Sequence, residues 1–321
     1  MKKTGILLVL LAAVAAYAQQ SDSTATIDGP SGTAPTSVTF PFERVQTPTH
    51  ADLYCAGFIN QQALPNANFV AGGLQTPNTT RYTTGQLIYL SGSGYQVGQQ
   101  YSVLRESVNP SKHEIFNGQA HMLKGLGQPY ADEGVVRIVD TRQKMAVAQI
   151  EYACDGILPG DILVAYTERP AISFHPPFRF DRFAPAGAKT SGRIVMARDF
   201  DGFIATGGKV YLNVGSNQGV KPGDYFRAVR LYSADKSDEA DTLSFSASQI
   251  DDTQKNPVTI DPNFLKHSKG GIVQTSGLPR RAVGEIVVLS STPTTATGMV
   301  VFALEDVHVG DGVELDDQQQ Q

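Results

Sequence analysis

One set of sequence landmarks occurs twice in this chain, in the same order and with matching spacing. In the first half, Gly134 opens a strand-like run, and Gly160 follows 26 residues later, directly before an aspartate. In the second half, Gly284 and Gly310 repeat this pattern at the same separation of 26 residues. A repeat in which pattern and spacing agree predicts two structural units of like topology. This duplication constrains the fold more than any other feature of the sequence.

The earlier part of each copy also matches. Residues 84–90 and 206–212 each approach a strand that ends in an aromatic residue and a leucine. A glycine-bearing turn follows in both copies, and residues 101–105 and 226–230 leave that turn as a strand. Further along, each copy has the pattern of a hairpin. We expect the strand that enters the glycine turn to neighbour the strand that leaves it.

The composition favours strands over helices. The chain has 31 glycines and 18 prolines, helical periodicity is scarce, and runs rich in Val, Ile, Thr, Tyr and Phe recur. We therefore predict an all-β fold of two tandem small β-barrel-like modules related by internal duplication, with loop insertions and one short helix. The predicted boundaries are a signal peptide at 1–18, a disordered linker at 19–47, β-module 1 at 48–168, a Pro/Phe-rich linker at 169–190, β-module 2 at 191–315 and a disordered tail at 316–321.

The glycines of the repeated turns have a structural interpretation. Glycine adopts a positive φ without strain, and an aspartate beside it can accept hydrogen bonds from nearby backbone N–H groups. A role for these aspartates in acid-base catalysis would need two carboxylates to converge, which the sequence does not indicate. The predicted structural turn residues are Gly98, Gly160, Asp161, Gly223, Asp224, Gly310 and Asp311.

Each copy carries an insertion between its second strand and the later hairpin, at about 106–133 in the first module and about 233–281 in the second. The two insertions should occupy equivalent loops, and loops on a rigid barrel are common sites of recognition. Within the second, residues 261–270 combine an N-cap, a first-turn proline and a terminating glycine, which predicts the short helix.

The N-terminus has the pattern of a secretory signal peptide. Lys2 and Lys3 precede an apolar stretch at 5–16, and Ala16 and Ala18 supply the small residues of a cleavage site after Ala18. The alternative is a retained anchor, but a dozen residues rise only about 18 Å as a helix, against a hydrocarbon core of about 30 Å. We therefore expect a periplasmic or extracellular protein that does not span the membrane.

The two cysteines, Cys55 and Cys154, would meet oxidising conditions in such a compartment. A disulfide between them is the first expectation, and two buried thiols are the alternative. The formal net charge of −5 is unfavourable for binding polyanions, so no nucleic-acid partner is expected.

The linker between the modules is rich in proline and aromatic residues. Its phenylalanines could pack across the junction between the barrels, or they could form a platform for a partner or a sugar. The candidate binding residues are Phe174, Phe178, Phe180 and Phe183.

The run at residues 210–224, VYLNVGSNQGVKPGD, resembles the C-terminal β-barrel domain of flagellar assembly protein T, a component of an envelope-associated ring. The strand at Gly284 and the ending at 307–311 fit the same pattern. The resemblance is better over 192–315 than over 52–167, where Gly-Asp becomes Gly98-Gln99. It implies a small β-barrel fold and an envelope compartment. The overall arrangement also resembles secreted bacterial proteins.

The sequence lacks the common motifs of metal, nucleotide and hydrolase chemistry. The six histidines show no HExxH arrangement, the cysteines lack zinc-finger spacing, and no nucleophile elbow, phosphate-binding loop or dinucleotide fingerprint is present. We predict no catalytic residue, metal or cofactor. The expected function is a non-enzymatic exported cell-envelope scaffold or assembly module with an envelope protein as partner. The alternatives are a module that binds a cell-wall glycan, which the absence of tryptophan disfavours, and a secreted hydrolase.

Overall fold

The computed structural model describes most of the chain. The described residues are 37–39, 46–74, 81–110, 113–177, 179–187, 190–231 and 279–316. The predicted signal peptide and most of the second insertion, with its predicted helix at 261–270, lie outside the described residues. Within them, no helix has both the length and the apolar character needed to cross a membrane.

The first module is a closed antiparallel barrel of six strands. In chain order the strands are β3 (Phe69–Gly73), β4 (Leu87–Ser91), β5 (Gln100–Glu106), β6 (Gln128–Asp140), β7 (Ala146–Ala153) and β8 (Ile162–Ala165). Around the barrel they follow the order β3-β4-β7-β6-β5-β8, and β8 pairs again with β3. A short strand, β2 (Phe58–Asn60), is added to the start of β6.

The second module is also a closed six-stranded barrel. Its strands are β10 (Ser191–Ala197), β12 (Lys209–Leu212), β13 (Tyr225–Arg230), β14 (Arg281–Ser291), β15 (Ala296–Ala303) and β17 (Gly312–Leu315). Their order around the barrel is β10-β12-β15-β14-β13-β17, which matches the first barrel strand for strand. The predicted all-β fold of two tandem barrel modules is therefore confirmed.

One expectation about the topology is wrong. The strand that enters the glycine turn, β4 or β12, does not neighbour the strand that leaves it, β5 or β13. In both barrels the later hairpin, β6–β7 or β14–β15, lies between them and pairs with each on one side. The glycine turn therefore crosses the end of the barrel, because the hairpin supplies the hydrogen-bonding partners that a direct pairing would have used.

The register of the two barrels agrees at single-residue resolution. Gly134 on β6 lies opposite Val103 and Ala153, and Gly284 on β14 lies opposite Ala228 and Ala303. A Cβ on either glycine would lie 2.2 or 2.6 Å from a carbonyl oxygen of the neighbouring strand. Such a contact is too close for any side chain, so both copies need glycine at this position.

A separate apolar core fills each barrel. Strand side chains alternate between the interior and the outer surface, and the interior ones are mostly Val, Ile and Leu. Val103, Val136 and Ile150 are fully or almost fully buried in the first barrel, as are Ala228 and Ile286 at matching positions of the second. The internal repeat of the sequence is thus a repeat of core positions.

Smaller elements lie outside the barrels. They are β1 (Ser37–Thr39), which pairs with β9 (Arg179–Asp181); β11 (Phe203–Ile204), which pairs with β16 (Val307–His308); the helices α1 (His50–Tyr54) and α2 (Gln119–Leu126); and a single 3-10 turn at Ser216–Gln218. Helix α1 begins with a capping box, in which the Thr49 hydroxyl accepts from the Asp52 N–H and the Asp52 carboxylate accepts from the Thr49 N–H.

Candidate functional site: the Gly-Asp ends of the barrels

Each barrel has one end at which a Gly-Asp turn leads into the last strand; we call this the Gly-Asp end. In the first barrel, Asp161 accepts two hydrogen bonds from Arg105, both of 2.8 Å. In the second, Asp311 accepts two from Arg230, of 3.0 and 2.8 Å. Each arginine is the last or next-to-last residue of the strand that leaves the glycine turn. The same bidentate ion pair therefore occurs at the same place in both copies.

The backbone contacts of these pairs are duplicated as well. Asp161 also accepts from the Leu158 N–H at 2.7 Å, and Asp311 accepts from the His308 N–H at 2.8 Å. Arg105 donates to the Gly156 carbonyl, and Arg230 donates to the Asp306 carbonyl. Both turn glycines have a positive φ, of 95° at Gly160 and 96° at Gly310. The turn conformation, the aspartate and the arginine form one structural unit.

The ion pairs differ in their exposure to solvent. The side chains of Arg230 and Asp311 are 4% and 0% exposed, whereas that of Arg105 is 29% exposed. Burial by itself disfavours the charge of Arg105, but the hydrogen bonds and charge of Asp161 outweigh that effect and raise the arginine pKa. Both aspartates use their carboxylate oxygens in bonds to the arginine and to the turn backbone.

Glu133 is a second buried carboxylate at the Gly-Asp end of the first barrel. One of its oxygens lies 3.1 Å from the Arg105 guanidinium, while the other has no hydrogen-bond partner in the described part of the chain. Burial raises the pKa of the Glu133 carboxyl to about 7, despite the nearby positive charge of Arg105. This group therefore changes its charge near neutral pH. Sequence patterns did not identify it, since it is one acid in an insertion.

A surface cavity of about 380 Å³ lies at the Gly-Asp end of the first barrel. No atom of the described residues comes within 4 Å of a Cβ placed on Gly160. A cavity of about 150 Å³ is enough to hold benzene, so this volume admits an aromatic side chain. The lining residues are Asn66, Leu104, Arg105, Glu106, Leu158, Pro159, Gly160, Asp161 and Ile162.

The Gly-Asp end of the second barrel is filled. Phe116, from the insertion of the first module, is fully buried and belongs to the core of the second barrel. Its ring lies 4.5 Å from the guanidinium carbon of Arg193, and its Cδ1 would be only 3.0 Å from a Cβ on Gly310. Next to it, Gln119 accepts from the Ile115 N–H and donates to the Val195 carbonyl of β10. The first insertion thus packs on the other module.

A second contact between the modules is made by the junction segment, residues 49–60. Three side chains of the second barrel donate to its carbonyl oxygens: Tyr211 to Ala56 at 3.0 Å, Thr297 to Gly57 at 2.9 Å and Thr295 to Ile59 at 3.0 Å. All three bonds are buried, and burial raises the pKa of Tyr211. Buried backbone groups with partners of this kind hold two surfaces in one relative position.

Gly57 allows this close approach. It has a φ of 70°, and a Cβ there would lie 2.3 Å from the Tyr211 hydroxyl. Its N–H donates to Asp132, which in turn accepts two hydrogen bonds from Arg169 at the start of the linker. Burial raises the pKa of the Asp132 carboxyl although Arg169 opposes this effect. One buried carboxylate therefore connects β6, the junction segment and the linker.

The predicted disulfide is confirmed, because Cys55 and Cys154 are bonded, with their Cα atoms 5.5 Å apart. Cys55 belongs to the junction segment, and Cys154 directly follows β7 of the first barrel. The bond therefore ties the junction segment covalently to the first barrel, while its carbonyl groups bind the second.

The structure places the predicted linker phenylalanines separately. Phe174 is buried against Tyr225, Val287 and their neighbours, and Phe180 is buried against Val229 and Phe302. Phe183 is 49% exposed, and Phe178 lies outside the described residues. The sequence offered packing across the junction between the barrels as one interpretation of these rings. Phe174 shares its cluster with Ala56 of the junction segment and with the outer surface of the second barrel, whereas Phe180 packs on the second barrel alone. These two rings offer no surface to a partner.

The described residues hold no group of three or more His, Cys, Asp or Glu side chains that could bind a metal ion. At the opposite barrel ends, Gly98 and Gly223 have φ values of 89° and 92°, and Asp224 accepts from the Lys221 N–H. The Gly98 N–H donates to the Ile138 carbonyl, and the Gly223 N–H donates to the Val288 carbonyl. No protein-family model matches the chain, and no curated protein is similar to it at a significant level.

Proposed function

We propose that this chain is a non-enzymatic exported protein of the cell envelope that acts as a scaffold or assembly module. The observation that carries the proposal is the way the barrels are joined. Phe116, the three buried hydrogen bonds of the junction segment and the disulfide together hold two similar barrels in one relative orientation. A fixed relative orientation of two folded units suits an assembly module.

The chemistry of the barrel ends supports a non-enzymatic role. The carboxylates of Asp161 and Asp311 accept hydrogen bonds from an arginine and from the turn backbone, which leaves them poorly suited to proton transfer. The disulfide supports export, because such bonds persist in oxidising compartments. The N-terminal pattern of residues 1–18 supports a secretory route.

We propose the Gly-Asp end of the first barrel as the binding surface. It combines the cavity with an exposed aromatic side chain, Phe69, which is 36% exposed and lies opposite Ile162 on the neighbouring strand. Exposed aromatic side chains beside a cavity are typical anchors of protein interfaces. The partner proposed for this surface is a protein of the cell envelope.

Site-specific photo-crosslinking in the native envelope tests this function. A photoreactive residue at Phe69 should capture a defined envelope protein, whereas the same residue at Val97, which is 65% exposed at the other end of the barrel, should not. Capture of cell-wall glycan alone from position 69 would favour the glycan-binding alternative. Turnover of a glycan or peptide substrate by the purified protein would overturn the non-enzymatic assignment.

A further inference from the structure

The Gly-Asp ends of the two barrels are alike in structure but differ in occupancy. The arginine, the aspartate and their backbone partners make equivalent hydrogen bonds at equivalent positions of the sequence repeat. The second end is covered by Phe116 from another module, while the first has a cavity of about 380 Å³ at the corresponding turn. A surface that binds an aromatic segment in one copy is a candidate to do so in the other.

The residue beside each turn supports this comparison. The Val70 N–H donates to the main-chain carbonyl of Asp161 in the first barrel, and the Ile194 N–H donates to the main-chain carbonyl of Asp311 in the second. Phe69 precedes Val70 in the first barrel, and Arg193 precedes Ile194 in the second. The guanidinium of Arg193 lies over the ring of Phe116. Phe69 can contact an incoming ring at the same position, since aromatic pairs are favourable in stacked or edge-to-face geometry.

The repeat also identifies the segment that would bind. Phe116 belongs to the insertion between β5 and β6, and the corresponding insertion of the second module lies between β13 and β14. Its residues 232–278 lie outside the described residues, and the sequence includes two phenylalanines, Phe245 and Phe264. At about 3.3 Å per residue, the midpoint of this segment can reach roughly 80 Å from its anchors. The segment is therefore long enough to reach a separate molecule.

The junction between the modules is heterologous, because the first module contributes the inserted segment and the second contributes the barrel end. Repetition of a heterologous contact leaves one donor segment and one acceptor end for the next molecule. We infer that the Gly-Asp end of the first barrel binds residues 232–278 of a second copy, so that copies associate head to tail. This inference rests on the proposed assembly function and names the partner of that surface.

Sedimentation of the purified mature protein over a range of concentrations provides the first test. The average mass should rise with concentration, and Phe69→Asp should weaken self-association at least about tenfold, as expected for an aromatic anchor. The matched control, Val97→Asp, places the same charge on the opposite end of the barrel and should leave association unchanged. A mass that stays monomeric at all concentrations would overturn the inference.

Deletion of the donor segment is the complementary test. Arg230 and Arg281 are paired neighbours in the sheet, so a short Gly-Ser turn can replace residues 232–278 without moving either strand. The deleted protein should keep the β-sheet circular dichroism signal of the barrels and remain monomeric. If it associates as strongly as the intact chain, the segment is not the donor.

Isotope-labelled crosslinking distinguishes one molecule from two. Labelled and unlabelled chains are mixed, and a photoreactive residue at position 69 should join peptides from 232–278 of the other isotope. Crosslinks found only within one isotope would mean that the segment binds its own chain, which overturns the inference. If position 69 instead captures a different envelope protein in the native setting, the proposed function stands and the self-association fails.

Discussion

The duplicated ion pairs allow a prediction with an internal comparison, because the same substitution can be made in both barrels. Asp311→Ala removes the partner of a buried arginine, whereas Asp161→Ala removes the partner of an arginine that is 29% exposed. Each substitution also removes an acceptor from one backbone N–H of the turn. The two substitutions remove the same hydrogen bonds and the same charge, so a difference between their effects on stability reflects the different solvent exposure of the two ion pairs.

The structure sets the expected magnitudes. Breaking a buried ion pair by removing one partner costs about 3–5 kcal/mol, and the neighbouring carboxylate of Glu305 is more distant from Arg230, at 3.5 Å. Arg105 would keep Glu133 at 3.1 Å and its contact with water, so Asp161→Ala should cost about 1–3 kcal/mol. The double substitution Arg230→Met with Asp311→Leu should recover most of the loss, because apolar residues often replace a buried pair without cost.

Native-state hydrogen exchange is the appropriate assay, since two joined barrels need not unfold in a single step. Amides of β13 and β17 should lose protection in Asp311→Ala, and amides of β5 and β8 should lose less in Asp161→Ala. Urea unfolding with the disulfide intact measures the total change. An equal or larger cost at Asp161, or no recovery in the double variant, would refute the argument from burial.

Three further predictions follow from single contacts. Phe116→Ala leaves a void in the core of the second barrel and should lower its stability by about 3–5 kcal/mol in urea unfolding, whereas a segment packed only loosely would show less than about 1 kcal/mol. Replacement of Cys55 and Cys154 by serine opens a loop with a sequence separation of 99 and should lower the free energy of unfolding by up to about 4–5 kcal/mol. The melting temperature should fall accordingly, and an unchanged melting temperature would contradict the prediction. Glu285 is fully buried, and burial raises its pKa from 4.5 to about 8. Between about pH 4.5 and 8 only the unfolded state releases the proton, so the free energy of unfolding falls as the pH rises through this range. Glu285→Gln should therefore raise the melting temperature more at pH 8 than at pH 4, and a difference independent of pH would contradict this assignment.

The sequence predicted the duplication because equivalent core and turn positions constrain the residue type locally. Gly134 and Gly284 lie against a neighbouring backbone, and Gly160 and Gly310 adopt a positive φ, so each position admits little besides glycine. A signal for the ion pairs was also present, since Arg105 and Arg230 end equivalent strands. That signal does not predict the pairs, because Arg105 and Asp161 are 56 residues apart and sequence alone does not show which strands become neighbours.

The tertiary structure decided what each strand pairs with and what each insertion contacts. The hairpin lies between the two strands of the glycine turn because closure of the barrel must give every strand two partners, a condition on the whole sheet rather than on any segment. The sequence marked the first insertion as a common kind of recognition site without indicating what it contacts, and its Phe116 packs inside the second barrel. Local patterns determined that this chain forms two similar barrels with fixed turns and a disulfide. The relation between the barrels depends on the complementarity of distant surfaces, and no local pattern encodes that complementarity.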